Sequence, residues 1–561
     1  MRLKYSLLPA LIAIPALWLS ACNDTPQPSA ETSSQAPAVA SAGQVASAPA
    51  SASTLSFYAA SRFAEQASFG PTPALVAEIR AKGFAKWIDD QFVLPPSQID
   101  PTPFLGFVDP LPEGDWKLYR GAFPNLAVNG ADQLRLRLTW ALSQFVTVSD
   151  RKGDLVGAVY WINMLQNRGS GRYSDLLYQV SVSPMMGQFL DNNQNRPKST
   201  ECPNCAPNEN FAREIMQLFS IGVVKLAADG TPLRDSKGRL QETYTQRDVE
   251  ELARVFTGWE QDSNPNPRPN RNWMNWAKPM VPTTWPPLRD NGAKSVMGSA
   301  FAAGQNQVTD LNTAIAMLMA HQNIAPFVAT RLIQHLVKSS PTPAYVGRIA
   351  AVFRNNGAGV AGDVRAMVKA ILLDAEARAG DVPAAGLASD GKLREPFLQV
   401  AATWRGLGCT SAPSNYWGTL VPPGQTPFSP DSVFSYYAPT DRAPGSNLLA
   451  PEQKLVTANE LTSRLNWVNG TRWNHGAQQN NLAQLNAAGC NPSAVVSALA
   501  TSPRAYLDLL SERYFRGAMP PTLRSNITEL IAQFWNSKDN EETSMRFLDF
   551  ALSSPYYGVI K

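Results

Sequence analysis

The amino-acid sequence predicts a predominantly α-helical protein: one large multi-helix domain with long loops rich in Pro, Asn and Trp and at most a small β-hairpin. From Ser56 onward, apolar residues recur mainly at the spacing of an amphipathic helix, and runs with strand-like alternation are few and short. The chain has 561 residues, and its 45 prolines are a larger share of the chain than the usual ~5%. Its charged fraction of 17% is below the usual ~25%. This composition is typical of helices joined by long, uncharged loops.

Amphipathic patterns place the helices in order along the chain. In the first half, the predicted helices span 74–92, 133–148, 173–189, 208–221 and 246–259. In the second half, they span 311–318, 323–337, 343–354, 362–375, 393–407, 455–467, 492–501, 504–513 and 522–534. Residues 223–242 are predicted to form an extended, hairpin-like excursion, because turn signals occur at Asp229-Gly230 and Lys237-Gly238.

The composition and motifs exclude several classes of protein. With 49 Lys and Arg against 45 Asp and Glu, the chain lacks the basic excess of a nucleic-acid-binding protein. Three histidines are too few for most zinc chemistry. The GxSxG, HExxH, P-loop and EF-hand patterns do not occur. Residues 357–362 match a dinucleotide fingerprint but lie between two predicted helices, where the motif requires a preceding strand, so they are interpreted as a turn.

Residues 1–21 are predicted to be a lipoprotein signal peptide. Two basic residues precede an apolar stretch that is too short to span a bilayer, and the sequence Leu-Ser-Ala-Cys at 19–22 resembles a bacterial lipobox. Cys22 is therefore predicted to carry lipid and to anchor the chain to a membrane. The alternative is an ordinary secretory signal that ends beside a chance cysteine. Asn23 favours the outer membrane, so the expected location is the cell envelope, facing the periplasm or the cell surface.

Two further segments follow the signal peptide. Residues 22–55 are almost entirely Ala, Ser, Pro, Gln and Thr, which cannot bury enough apolar surface to fold, so a disordered stalk is predicted. Residues 56–561 are predicted to form a single helical body, with a possible C-terminal subdomain from about residue 390.

Four cysteines remain after Cys22, and an even number in an oxidising compartment suggests two disulfides. Cys202 and Cys205 are separated by Pro-Asn in a loop, which fits a local disulfide, a redox pair or half of a metal site; we favour the disulfide. By elimination, Cys409 would then pair with Cys490. A metal or redox centre would also have to recruit histidines, and His321, His335 and His475 lie in separate segments. No metal and no cofactor is predicted.

The segments 208–219 and 244–259, called the central motif below, carry the most informative residues. Asn208 is the expected N-cap of the first helix, Glu209 complements its dipole, and Glu209, Arg213 and Gln217 share one polar face. In the second helix, Thr245 and Asp248 are predicted to form a capping box. An ion pair between Glu250 and Arg254 is also predicted there, at i, i+4 spacing.

The central motif resembles the bacterial domain-of-unknown-function family 1800. The matching segments are Asn-Glu-Asn-Phe-Ala-Arg-Glu at 208–214, Tyr-Thr-Gln-Arg-Asp-Val at 244–249 and Ala-Arg-Val-Phe-Thr-Gly-Trp at 253–259. Further matching segments lie at 67–72, 135–145, 392–396 and 461–466, so the resemblance covers almost the whole body. It implies a secreted, largely helical protein, often encoded beside a sulfatase-like protein, but no reaction.

Two positions depart from the family pattern. Gln217 stands where a Glu is usual, and Arg289-Asp290 stands where His-Asp is expected. If the family has a catalytic centre that uses these positions, its activity in this chain is in doubt.

Two functions are compatible with these observations. The first is a lipid-anchored, non-catalytic scaffold or binding protein that works with an envelope partner such as a sulfatase-like protein; the membrane contact is the lipid on Cys22, and no nucleic acid is bound. The alternative is an envelope hydrolase acting on a glycan or an ester. Its candidate catalytic residues are Glu209, Arg213, Glu214, Asp248 and Arg254. Candidate substrate-binding residues are Asp191, Asn208, Trp259, Trp273 and Trp276. The same residues could instead be structural ion pairs, caps and loop anchors.

Overall fold

The structure is a computed structural model that describes residues 55–104, 113–262, 275–383, 390–412, 424–470, 489–535 and 539–560. The predicted signal peptide, Cys22 and the stalk up to residue 54 lie outside the described residues, as do Trp273 and His475. Residues Thr54–Lys561 form one compact unit. No helix in the described ranges is both long and apolar enough to cross a bilayer.

The described chain is predominantly α-helical, as predicted from the sequence. Helices α1 to α10 are Phe57–Ala67, Pro73–Lys82, Phe84–Val93, Glu113–Asn129, Gln133–Ser143, Leu155–Arg168, Tyr173–Val182, Pro184–Phe189, Asn210–Gln217 and Gln246–Val255. Helices α11 to α21 are Gln307–Ala320, Ile324–Leu336, Pro343–Arg354, Val364–Leu373, Ala375–Arg378, Pro396–Gly406, Ala458–Gly470, Ser493–Thr501, Pro503–Tyr514, Pro521–Phe534 and Asn540–Leu552.

Three small antiparallel sheets of two strands each complete the described secondary structure. Strand β1 (Trp259–Glu260) pairs with β2 (Val281–Pro282), β3 (Lys294–Val296) with β4 (Ser299–Phe301), and β5 (Lys392–Leu393) with β6 (Val559–Ile560). The third sheet joins the start of the C-terminal third of the chain to its last described residues. The excursion at 223–242 is held by isolated antiparallel bridges, such as the one between Val224 and Glu242.

Two predicted helices are broken in the structure. The predicted helix 74–92 is interrupted at Gly83, whose φ of 76° ends α2 and lets α3 begin at the next residue. The predicted helix 173–189 is interrupted at Ser183, which caps α8 by accepting from the Met186 N–H, and Pro184 occupies the first position of that helix.

The sequence prediction missed five helices, namely α1, α4, α6, α15 and α21. Helix α6 is buried on nearly every side, so its sequence lacks the apolar stripe that marks a surface helix. Helix α6 forms one wall of the cleft described below, so this omission also hid part of the candidate site.

The buried apolar residues form two clusters. The larger spans the body from α1 to α16. The smaller is built from α16 and α18 to α21, with Val128 as its contribution from earlier in the chain. Helix α16 belongs to both, because Phe397 packs in the first cluster and Trp404 in the second. The C-terminal helices therefore have a core of their own that shares one helix with the main core.

Candidate functional site

The start of α9 is held by a small group of amide and carboxylate side chains. Asn208 Oδ1 accepts from the Asn210 N–H at 2.9 Å, and the Asn208 N–H donates to Oδ1 of the buried Asn195 at 2.7 Å. Asp191 accepts from Asn210 Nδ2 at 2.9 Å and from Lys152 Nζ at 2.7 Å. The N-cap position itself belongs to Glu209, one residue later than predicted, because the turn at Asn208 delays the helix. Asp191 and Asn208 thus fix this loop to the helix.

The polar face of α9 forms a network with α10. Arg213 and Glu209 form an ion pair of 2.7 Å. Gln246 of α10 joins it, donating to Glu209 Oε2 at 2.9 Å and accepting from Arg213 at 3.1 Å. The Arg213 and Glu209 side chains are 37% and 33% exposed, so this network lies at the surface and joins the two helices.

Asp248 is fully engaged in structural contacts. The predicted capping box is present, with Thr245 and Asp248 each accepting from the other's backbone N–H. The second carboxylate oxygen accepts from the Met297 N–H at 2.6 Å. Burial raises the pKa of Asp248, but the backbone hydrogen bonds from Met297 and Thr245 outweigh it and hold the pKa below its usual value. Asp248 is therefore an ionised acceptor that ties α10 to the segment after β3.

The predicted ion pair between Glu250 and Arg254 is wrong. Arg254 pairs with Glu251 at 2.9 Å and with Asp290 at 2.8 Å, whereas Glu250 accepts from Gln246. The reason is tertiary: Glu251 lies on the side of α10 that faces the 290–297 segment, and Arg254 turns there to reach two carboxylates at once. Hydrogen bonds to both oxygens of each carboxylate fix the guanidinium in the geometry that Arg prefers.

Glu214 differs from the other candidate acids. Its side chain is partly buried, and Oε2 is enclosed without a hydrogen-bond donor among the described residues. Burial raises the pKa of Glu214 to about 7, against a smaller lowering by Arg213. The hydroxyl of Tyr244 lies nearby, also enclosed without a partner, and burial together with the Glu214 charge raises the pKa of Tyr244 to about 12.

The departure at Arg289 has a structural role. Arg289 is buried and donates to the Val255 and Thr257 carbonyls at 2.7 and 2.9 Å. It also pairs with the fully buried Asp310, which Lys294 approaches to 3.2 Å. Arg289 thus caps the C-terminal end of α10 and joins it to α11.

The tryptophans predicted to bind substrate lie in different surroundings, one in the core and one in the wall of a cleft. Trp259 is buried in the sheet formed by β1 and β2, opposite Pro282, so it has no exposed face for a substrate. Trp276 is also largely buried, but it lines a cleft, together with Trp161 of α6. The third predicted platform, Trp273, lies outside the described residues.

A cleft of about 620 Å³ lies between α6, α7, α8 and the segment 276–279. We call it the amide-lined cleft, because four of its polar side chains are amides, beside two basic groups, a phenol and a hydroxyl. These polar side chains are Gln98, Asn163, Asn167, Gln179, Tyr160, Ser183, Arg168 and Lys278. None of the described residues that line it is acidic, and its volume is typical of a ligand site.

The wall that carries Trp276 is fixed in several ways. Asn275 is buried and accepts from the Ala277 N–H at 3.2 Å, and the Met280 N–H donates to the Val182 carbonyl at 2.7 Å. The Trp276 indole packs directly on Gly157 of α6. Trp161 has a buried indole N–H with no acceptor among the described residues. Contacts within the protein therefore hold this wall of the cleft in place.

Both predicted disulfides are present. Cys202 bonds to Cys205 in the loop before α9, and Cys409 bonds to Cys490 across 81 residues. His321 Nδ1 accepts from the Asn323 N–H at 3.1 Å and His335 lies inside α12, so these two histidines occupy separate environments. In the described ranges, no group of three or more His, Cys, Asp or Glu side chains is placed to hold a metal ion.

Residues 62–559 match the family model described as a protein of unknown function, DUF1800. The chain belongs to this family. No curated protein and no solved structure matches it. Membership of the DUF1800 family confirms the resemblance carried by the central motif and leaves the activity to be inferred from the site.

The candidate residues of this DUF1800 chain do not converge on one site. Glu209, Arg213, Asp248 and Arg254 hold α9, α10 and β3 together, and neither the amide-lined cleft nor the smaller cavity described below is lined by them. Of the predicted ligand-binding residues, Trp276 reaches the cleft. The amide side chains that α6 and α7 contribute to the cleft were not predicted from the sequence. Asn163 and Asn167 follow Tyr160 at helical spacing, so these three residues could have indicated a polar face of α6.

Proposed function

We propose that this protein is a lipid-anchored, non-catalytic binding protein of the cell envelope that holds a glycan chain in the amide-lined cleft. The lipid is the one proposed on Cys22, with the outer membrane favoured. The resemblance adds a sulfatase-like envelope protein as the proposed partner. The cleft is the observation that carries the proposal.

The chemistry of the cleft suits a ligand rich in hydroxyl groups. Amide side chains both donate and accept, so Gln98, Asn167 and Gln179 can each bind a sugar hydroxyl of either polarity. Trp276 and Tyr160 supply apolar ring surface for the carbon faces of a sugar. Glycans combine these two kinds of surface.

The charges around the cleft support binding without hydrolysis. Glycoside hydrolysis ordinarily requires two carboxyl groups, ~5 to 9.5 Å apart, on either side of the scissile bond. The described lining of the cleft contains basic groups, Arg168 and Lys278, and lacks any carboxylate. Lys278 forms an ion pair with Asp262, at 3.2 Å.

Titration calorimetry with defined envelope oligosaccharides tests the proposal. Trp276→Ala removes a ring from the cleft, and we expect it to weaken binding by roughly ten-fold or more, as for other buried aromatic contacts. Trp285→Ala is the matched control, because Trp285 is 44% exposed and does not line the cleft. If no oligosaccharide binds the wild-type protein, or if both variants lose binding equally, the proposal fails.

Membrane fractionation tests the anchor. We expect Cys22→Ser to move the mature protein from the membrane to the soluble fraction, because one acylated cysteine carries the whole proposed attachment. Cys202→Ser together with Cys205→Ser is the control, since it replaces two cysteines and removes their disulfide without touching the lipobox. Retention of the Cys22→Ser protein in the membrane would contradict lipidation at this residue.

Glu214 favours a second function, an envelope hydrolase. A carboxyl group with a pKa near 7 and an enclosed oxygen fits a general acid at neutral pH. The test is a panel of envelope polysaccharides and esters, incubated with the wild type and with Glu214→Gln. Turnover that is lost in Glu214→Gln but kept in Glu209→Gln would favour the hydrolase; no turnover on any substrate would favour the binding protein.

A further inference from the structure

A second cavity, which we call the inner cavity, lies beside α9 and α12. Its volume is about 40 Å³, and its polar walls are Gln144, Gln217, Arg331, His335 and Tyr437, facing the rings of Phe145 and Phe327. A water molecule needs ~10 to 15 Å³ of free space, so the inner cavity has room for a few waters or for one ligand of a few heavy atoms.

Arg331 enters this cavity without a counter-ion. It donates to Gln334 Oε1 at 2.7 Å, and its guanidinium carbon lies 5.0 Å from the centre of the Phe327 ring. Its Nε is enclosed without an acceptor, and no carboxylate pairs with it in the described part of the chain. Arg331 is partly buried, and a cation that is shielded from water normally has an anionic partner, because an unpaired buried charge is strongly unfavourable.

His335 adds a second unused polar group. It follows Arg331 by one helical turn on α12, its ring stacks on Phe145, and its Nδ1 is enclosed without a partner. Burial and the neighbouring Lys392 charge lower the pKa of His335 to about 3. It is therefore neutral at physiological pH and can donate one hydrogen bond.

Buried cations and carboxyl groups surround the inner cavity. Lys392 is buried and pairs with Glu395 at 2.8 Å, and the buried Arg137 donates to the His335 carbonyl at 2.6 Å. Burial raises the pKa of Glu395, but Lys392 outweighs it and lowers that pKa to about 2, so Glu395 is ionised. A second buried carboxyl, Glu452, accepts from the Leu393 N–H at 3.1 Å and lies near Lys392 and Tyr437. In the described part of the chain, no carboxylate forms a direct ion pair with Arg331.

We propose that the inner cavity binds a small free carboxylate, of the size of formate or acetate, on the Arg331 guanidinium. The planar guanidinium matches a carboxylate with two parallel hydrogen bonds. The amide of Gln217 and the free His335 nitrogen can donate further bonds, and the aromatic walls accept a short apolar tail. The site is distinct from the amide-lined cleft and does not depend on the function proposed for it.

Titration calorimetry on the full mature chain, with formate, acetate and chloride at constant ionic strength, tests the site. Gluconate is the background anion, because it is too large for the cavity. We expect saturable binding of formate and acetate, weakened roughly ten-fold or more in Arg331→Met through loss of the charge-assisted hydrogen bonds. Arg354→Met is the matched control: Arg354 is exposed on the neighbouring α13, and we expect it to leave the affinity unchanged.

A second variant keeps the proposal testable if Arg331→Met fails to fold. Gln217→Glu places a carboxylate in the cavity itself, so we expect it to abolish acetate binding and to raise the thermal unfolding midpoint. The proposal is overturned if the wild type binds neither formate nor acetate saturably, if it binds chloride alone, or if acetate binds Gln217→Glu as it binds the wild type.

Discussion

The indole ring of Trp276 lies on the backbone of α6 at Gly157, so close that a Cβ at residue 157 would stand 2.6 Å from Trp276 Cε3. Real Cβ atoms do not approach a carbon this closely. Glycine at this position, in the first turn of α6, is therefore needed for the ring to approach the helix backbone so closely. One wall of the amide-lined cleft depends on that glycine.

Gly157→Ala is expected to displace Trp276 and to damage the cleft. Alanine favours the helix by ~1 kcal/mol, but the clash with a fixed ring costs about 1 to 3 kcal/mol, so the variant should be no more stable than the wild type and should bind the ligand of the cleft more weakly. Tryptophan fluorescence and the calorimetric titration measure the two effects.

Gly347→Ala is the control for this substitution. Gly347 lies within α13, and a Cβ there would meet its nearest atom, Asp229 Cβ, at 3.4 Å, which is ordinary contact. We expect a gain of roughly 0.5 to 1 kcal/mol and unchanged ligand binding. If Gly157→Ala behaves in the same way as Gly347→Ala, the packing of Trp276 on α6 does not shape the cleft.

The stability of the protein is expected to depend strongly on Asp310, the one carboxylate in the buried cluster of Arg289, Lys294 and Asp310. Asp310→Asn would leave two buried cations without their direct ion-pair partner, and removing one partner of a buried ion pair typically costs ~3 to 5 kcal/mol. Urea unfolding followed by circular dichroism measures the loss. Asp508→Asn serves as control, because its pair with Arg524 is exposed and contributes at most about 1 kcal/mol. Equal effects of the two substitutions would contradict a buried role for Asp310.

Much of the fold could be predicted from the sequence because most helices of this protein have one buried and one polar face. The capping box of Thr245 and Asp248 could also be predicted, because its contacts are local and span only three residues of sequence. Helix α6 could not, because it is buried on nearly all sides and keeps no apolar stripe. The break at Gly83 depends on a backbone angle that glycine permits but does not require.

The candidate sites were harder to predict than the fold because they join distant segments. Trp276 meets Gly157 across more than a hundred residues of sequence, and Gln217 faces Arg331 across a similar distance. Arg254 illustrates the same limit. Its spacing predicts an ion pair with Glu250, but the fold brings Asp290 close, and Arg254 pairs with Glu251 and Asp290 instead. Local spacing cannot indicate which of several possible partners the fold brings close.

The two disulfides are expected to differ in their contribution to stability. In the chain-entropy model a cross-link restricts the unfolded chain more when the loop it closes is longer. The Cys409–Cys490 bond closes 81 residues, so replacing both cysteines by Ser should cost about 4 kcal/mol, against about 2 kcal/mol for Cys202 and Cys205. Urea unfolding of the two double variants gives both values. A larger loss from the Cys202 and Cys205 variant would contradict this order.

Glu214→Gln is expected to stabilise the protein in a pH-dependent way. Burial raises the pKa of Glu214 from 4.5 to about 7, so the folded protein holds this proton more tightly than the unfolded chain does. The stability that the protonated carboxyl provides is complete below pH 4.5 and is lost as the pH rises through about 7. The side chain keeps some solvent contact, which reduces the effect to roughly 1 to 2 kcal/mol.

The gain from Glu214→Gln should therefore be near zero at about pH 4.5 and should grow to its full value by about pH 8. Urea unfolding across this range measures it. Glu209→Gln is the matched control on the same helix: it removes an exposed ion pair worth at most ~1 kcal/mol, so we expect a small loss and no gain toward high pH. If the unfolding free energy of Glu214→Gln runs parallel to that of the wild type at every pH, the carboxyl is solvated in the folded protein. That result would also contradict a role for Glu214 as a general acid.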